Sequence, residues 1–207
     1  LGRYLVRETG KTVRYSNKAI VGATSKGLAA QIDASLIAKS RPDVAVILIG
    51  ANDVTAVNRV RASARRLGQA VQLLVDAGAK VVVGTCPDLG VITAIPQPLR
   101  WVIRQYSGRV ATAQRSAVRG HGGRGVPLAD VLAKECLARP GHMFSTDNYH
   151  PSAAGYALAA SIRLPEVLDA VGEWGGPLPN PPEVSEVAES RRLVNRLRRL
   201  LPSAFAR

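Results

Sequence analysis

Aromatic residues are scarce in this chain of 207 residues, at 4% of positions. A core without them must be built from aliphatic side chains. The hydrophobic content of 46%, rich in Val, Leu, Ile and Ala, is enough for a sizeable one. The same scarcity argues against a nucleic-acid-binding module, which stacks bases on aromatic platforms. Cysteine is nearly absent. Cys86 and Cys136 stand alone, too few for a metal cluster or a disulfide framework, although a single bridge stays open. His121 and His142 have no second ligand at metal-binding spacing, so neither a metal nor another cofactor is expected. No run of 18 apolar residues occurs, so no helix of the chain is expected to span a membrane. Internal repeats are also missing.

Positive charge is abundant. The formal charge is +13 and the isoelectric point about 10.7. Such a balance favours anionic partners, or simply an arginine-rich solvated surface. The first residues, LGRYLVRETG, read as a helix already under way, so any targeting segment is expected upstream of Leu1.

Hydrophobic spacing divides the chain into alternating elements. Leu1–Glu8 is predicted helical with Gly10 as its stop, and Thr12–Ser16 is a short strand candidate. Gly27–Lys39 reads as a helix. Asp43–Ile49 (DVAVILI) is a near-continuous apolar run, which fits a strand covered on both faces. Val57, Val60, Ala64, Leu67, Val71 and Leu74 fall at helical spacing up to Gly78. Lys80–Thr85 is a second buried strand, Pro98–Arg119 a helix, Gly125–Leu128 a third strand, and Ser152–Leu168 a last helix with Ser152 as N-cap. Strands alternating with helices predict an α/β fold with a mainly parallel sheet, whose functional loops gather at the carboxyl ends of the strands.

Three loops stand in such positions: NKAIVGAT (17–24), GAND (50–53) and DNYHP (147–151). Asp147 precedes His150 by three residues. A turn of that length can set a carboxylate against the imidazole Nδ1–H, leaving Nε2 to take a proton from a nucleophile. Alone, the pattern equally describes a surface aspartate and a satisfied loop histidine. Asn52 offers a neutral amide donor at the end of a buried strand, suited to a developing oxyanion. Alternatively, Asn52 and Asp53 only turn the chain and cap the next helix. Gly22 can present an unshielded backbone N–H, or serve the turn alone.

The order of these blocks, a glycine loop, then GxND after a buried strand, then DxxHP before a terminal helix, resembles the SGNH (GDSL-type) hydrolases over about Leu1–Leu168. The resemblance implies a three-layer α/β/α sandwich of flavodoxin-like form. Its chemistry is hydrolysis or transfer of acyl groups through an acyl-serine, with no metal. It assigns Gly22 and Asn52 as oxyanion donors, His150 as general base and Asp147 as its partner. It also implies a Gly-Asp-Ser block on a first strand, and no such tripeptide occurs in this sequence. Ser16 and Ser25 flank the glycine loop outside that motif and are not nominated. The nucleophile and first strand are therefore expected upstream of Leu1, and the chain by itself is expected to be inactive.

Met143 and Phe144 are candidates to line an acyl pocket, or core residues. Cys86 follows a strand end but lacks a partner motif for a nucleophilic role. From Trp174 the composition changes. The expected organisation is a hydrolase-like domain at 1–173, a Pro/Gly linker at 174–183 and a basic amphipathic tail at 184–207. That tail is suited to an anionic membrane surface, or to packing on its own domain or a partner subunit. The expected partner is a small-molecule or lipid ester. The location stays open, with export or membrane association placed ahead of a cytoplasmic one. An acyltransferase and a non-catalytic scaffold remain the alternative functions.

Overall fold

A computed structural model describes residues 1–37 and 41–176. Three strands, β1 (Val44–Leu48), β2 (Lys80–Gly84) and β3 (Arg124–Val126), form a parallel sheet in that order. The helices are α1 (Gly2–Thr9), α2 (Leu28–Leu36), α3 (Ala51–Thr55), α4 (Val60–Asp76), α5 (Leu99–Gly120), α6 (Ala129–Ala138), α7 (Pro140–Met143) and α8 (Ala153–Ala170).

The alternation of β2 builds the two helical layers. Val81 and Val83 turn to one side, where they join Ile47 of β1, Leu28 and Ile32 of α2, Leu67, Val71 and Leu74 of α4, and Val118 of α5. Val82 turns to the other side, where it meets Val126, Leu128 and Val167 of α8, with Leu1 and Leu5 at the margin. A strand buried on both faces must read as a continuous apolar run, as KVVVG does. The result is an α/β/α sandwich with an aliphatic core.

Several sequence expectations shift. Thr12–Ser16 is not a strand: residues 11–20 hold no helix or ladder, and among the described residues no strand lies alongside to pair with them. The helix expected from Gly27 begins as a 3₁₀ turn at Ser25–Gly27. The helix expected from Val57 begins at Val60, after a break in which Val57 takes a positive φ of 50°. Helices α6 and α7 lay hidden in the stretch before DNYHP. Ser152 does cap α8, accepting from the Gly155 N–H at 3.1 Å. Gly78, at φ 91°, follows α4. The tail at 184–207 and most of the linker lie outside the described residues. No helix among the described residues is long and apolar enough to cross a membrane.

Candidate active site

The DNYHP loop is a closed turn between α7 and α8. Phe144 and Pro151 form an antiparallel bridge, the Ser145 N–H donates to the His150 carbonyl at 2.8 Å, and the Asn148 N–H donates to the Ser145 carbonyl at 2.9 Å. Asn148 takes the left-handed conformation at φ 54°, which asparagine tolerates well. The mouth of the turn is fastened to α8 through Ser152, whose N–H donates to the Met143 carbonyl at 2.9 Å and whose hydroxyl donates to the His142 carbonyl at 2.6 Å. Gly155 allows the approach: a Cβ there would sit 2.5 Å from the Met143 carbonyl oxygen.

Inside this turn, Asp147 organises His150. Its Oδ2 lies 2.6 Å from His150 Nδ1. Its Oδ1 accepts from the Ser145 hydroxyl at 2.6 Å, the Tyr149 N–H at 2.9 Å and the His150 N–H at 3.0 Å. The hydrogen bond from the His150 ring, then those from Ser145 and the two backbone N–H groups, hold the Asp147 carboxyl well below the usual carboxylate range. A carboxylate fixed in this way selects the tautomer with its proton on Nδ1 and turns Nε2 outward as an acceptor. The His150 side chain is exposed, so Nε2 is accessible.

The GAND loop lies at the carboxyl end of β1. Gly50 has φ 126°, and a Cβ there would come within 2.7 Å of Gln114 Nε2 and 3.0 Å of Cys86 Cβ. Gln114, fully buried on α5, explains the crowding. Its Nε2 donates to the Ile49 carbonyl at 3.0 Å and its Oε1 accepts from the Cys86 N–H at 2.7 Å. One side chain thus ties the ends of β1 and β2 together beneath the loop. Asn52, exposed on α3, donates from Nδ2 to the Ala23 carbonyl at 3.0 Å. This bond joins GAND to the glycine loop and leaves the second amide hydrogen of Asn52 for another acceptor. Gly22 sits beside that anchor, exposed, with φ 75°.

Asp53 plays a different part. It is fully buried and accepts from the Ser25 N–H at 2.9 Å, the Ser25 hydroxyl at 2.6 Å and Asn58 Nδ2 at 3.0 Å. Ser25, 1% exposed, is therefore a strut of the glycine loop. Gln114, Ser25 and Ser145 carried no motif of their own. The fold brings Gln114 against the backbone at two strand ends and Ser25 against the Asp53 carboxylate, while Ser145 reaches Asp147 within its own turn.

The two catalytic-type loops stand on shared ground. Phe144 and Tyr149, which flank the Asp147 turn, pack in the same cluster as Ala51 and Val54 of α3 and Cys86 at the end of β2. Met143 and Phe144 are 3% and 8% exposed, and Phe144 packs in the cluster shared by the two loops, so neither side chain is presented to solvent. Cys86 is fully buried, and its thiol is pushed up to about 12, by burial first and then by the nearby Asp53 and Asp88 charges. A thiol so disposed carries no nucleophilic thiolate at neutral pH. His121 is held by the Ala117 carbonyl at 2.7 Å from Nδ1 and packs over Gly68, remote in role from the loops.

The model of the GDSL-like lipase/acylhydrolase family matches residues 1–158, a span that contains Gly22, Asn52, Asp147 and His150. The chain belongs to this family. It is 54% identical over 173 residues to a GDSL-like esterase of Mycobacterium tuberculosis, a match covering 84% of this chain and 55% of that protein. The chain thus spans about half the length of this curated relative. Among solved structures, a variant acetyl xylan esterase from Geobacillus stearothermophilus superposes with a TM-score of 0.57 over 84% of this chain and 80% of that one, at 20% identity. At that identity the likeness establishes the fold alone.

Proposed function

We propose that this chain carries the oxyanion and acid–base half of a serine esterase that cleaves its substrate through an acyl-serine. The observation that supports this most is the Asp147–His150 pair, with the carboxylate on Nδ1 at 2.6 Å and the other ring face open. In this reading His150 Nε2 takes the serine proton as the hydroxyl attacks the ester carbonyl, and returns it to the leaving alcohol. Asp147 holds the tautomer and stabilises the imidazolium. The second Asn52 amide hydrogen and the Gly22 N–H receive the developing oxyanion. The serine itself is not in this reading's set of residues, since Gly-Asp-Ser does not occur in the sequence. The reading therefore expects the 207 residues alone to be inactive.

The same reading assigns the acyl group to an apolar surface that starts on α3. A shallow cavity of about 350 Å³ runs from Val54 and Val57 to Leu99, Trp101, Val102 and Tyr106. It begins on α3 itself, two residues beyond Asn52. The Tyr106 hydroxyl is occupied by the Asn58 carbonyl, so the ring offers only apolar surface. Val57 holds its β-branched side chain 76% exposed from a left-handed backbone, a conformation that costs about 1–3 kcal/mol and recurs at functional sites. These features support an ester with an apolar acyl chain, whether free lipid or acylated carbohydrate. Water or a substrate alcohol could take the acyl group from the same site.

Turnover of p-nitrophenyl esters of increasing chain length tests the reading. The chain as given should show none above background. A form extended to include a Gly-Asp-Ser serine should turn over, and His150→Ala should cut its kcat by at least ~10³. Turnover by the short chain that a serine-directed phosphonate abolishes would overturn the assignment of the nucleophile. An extended form indifferent to His150→Ala would overturn that of the base.

A further inference from the structure

The glycine loop is lightly held. Residues 17–22 are all exposed. Apart from bonds to near neighbours in sequence, and among the described residues, the stretch 17–25 reaches the rest of the fold through Asn52, Asp53 and Arg66. Asp53 takes two of these bonds, from the Ser25 N–H at 2.9 Å and the Ser25 hydroxyl at 2.6 Å.

Asp53 is in turn set by Asn58. The Asn58 N–H donates to the Asp53 carbonyl at 2.9 Å, and its Nδ2 donates to Asp53 Oδ1 at 3.0 Å. Asn58 is itself buried, and its carbonyl accepts from the Tyr106 hydroxyl. A chain of hydrogen bonds therefore runs from Tyr106 of α5 through Asn58 and Asp53 to Ser25, three residues beyond Gly22.

The two ends of this chain serve different parts of the candidate site. Tyr106, Val54 and Val57 line the apolar cavity, and Val57 directly precedes Asn58. Val57 has φ 50°, so the backbone between the cavity and Asn58 is held where a β-branched residue seldom sits. An acyl chain laid between α3 and α5 would cover Val57 and exclude water from the Tyr106–Asn58 bond. Hydrogen bonds strengthen where the local dielectric falls. At the other end, a catalytic donor misplaced by ~1 Å can cost about 10² in rate.

We propose that Asn58 and Tyr106 are positioning residues: an apolar acyl chain in the cavity firms the Tyr106–Asn58–Asp53–Ser25 chain, fixes the glycine loop, and is thereby read in kcat. The kinetic part rests on the esterase reading above. The coupling of cavity to loop stands by itself.

Tyr106→Phe keeps the ring in the cavity wall and deletes the first link. In an extended form with the serine it should lower kcat on p-nitrophenyl octanoate by about 3–10-fold with KM nearly unchanged, the effect of one hydrogen bond. Asn58→Ala should act in the same direction. Leu99→Ala, which trims the cavity wall alone, should raise KM for the octanoate instead. A rise in KM with kcat kept in Tyr106→Phe overturns the kinetic claim. The second arm needs no turnover. In the 207-residue chain, octanoic acid should slow hydrogen exchange at the Ser25 amide, and Tyr106→Phe should remove that effect. Octanoic acid that leaves Ser25 exchange unchanged in the parent, or slows it equally in Tyr106→Phe, overturns the coupling. An extended form that turns over no ester, while octanoic acid still protects Ser25 through Tyr106, would defeat the esterase reading and uphold the coupling.

Discussion

Gly50→Ala tests whether the GAND loop is held by backbone strain and the buried Gln114. At φ 126° an alanine is forced into a region that essentially only glycine adopts, at a cost of about 1–3 kcal/mol. Its Cβ would also stand 2.7 Å from Gln114 Nε2 and 3.0 Å from Cys86 Cβ, in a fully packed place. Overpacking adds about 1–3 kcal/mol, and displacing Gln114 frees the Ile49 carbonyl and the Cys86 N–H that it satisfies. The total is roughly 2–6 kcal/mol. For a domain of this size that amounts to a fall of roughly 4–24 °C in melting temperature. Gly108→Ala is the control: it lies in α5 with nothing within 4 Å of a Cβ, and should stabilise by up to about 1 kcal/mol. Thermal melts of the two variants beside the parent decide the matter. If Gly50→Ala melts within ~2 °C of the parent, Gln114 does not clamp the strand ends as argued.

Three further outcomes are expected. Asn52→Ala, in an extended form with the serine, should lower kcat more than it raises KM, by about 10²–10³ in kcat, because an oxyanion donor acts in the transition state; a change in KM alone refutes that role. Asp147 should titrate below the ordinary aspartate value of ~3.9, because four donors favour its charged form; its contribution is present above that value and lost as pH falls through the lower folded one. A midpoint at or above ~4 in a carbon-detected NMR titration would count against the hydrogen-bonded turn. In an extended form with the serine, cutting after Trp174 should leave kcat on a soluble short-chain ester unchanged and abolish salt-sensitive cosedimentation with anionic vesicles, given about 1 kcal/mol per basic residue at such a surface. Loss of thermal stability with no vesicle binding by the longer form would end the membrane reading of the tail.

The sequence by itself determined the layered α/β class, because a strand covered on both faces must be apolar at every position and a helix must repeat at its own period. Asp43–Ile49, Lys80–Thr85 and the stripe from Val60 to Leu74 obey those rules. The Asp147–His150 spacing allowed a carboxylate–imidazole pair or a plain surface turn, and the family resemblance of the surrounding blocks chose between them. What depended on neighbours far along the chain was not legible. Thr12–Ser16 has strand composition but no partner, and α6 and α7 lack a strong period. Met143 and Phe144 read as pocket or core alike until the tertiary structure buried both. The struts are the clearest case. Gln114 holds two strand ends from 65 and 28 residues away, Ser25 reaches the buried Asp53 from 28 residues away, and Arg163 comes to rest on Gly84 without a carboxylate. Their roles come from where the backbone carries them, and only the tertiary structure decides which polar atoms are buried together and which are left to find a partner.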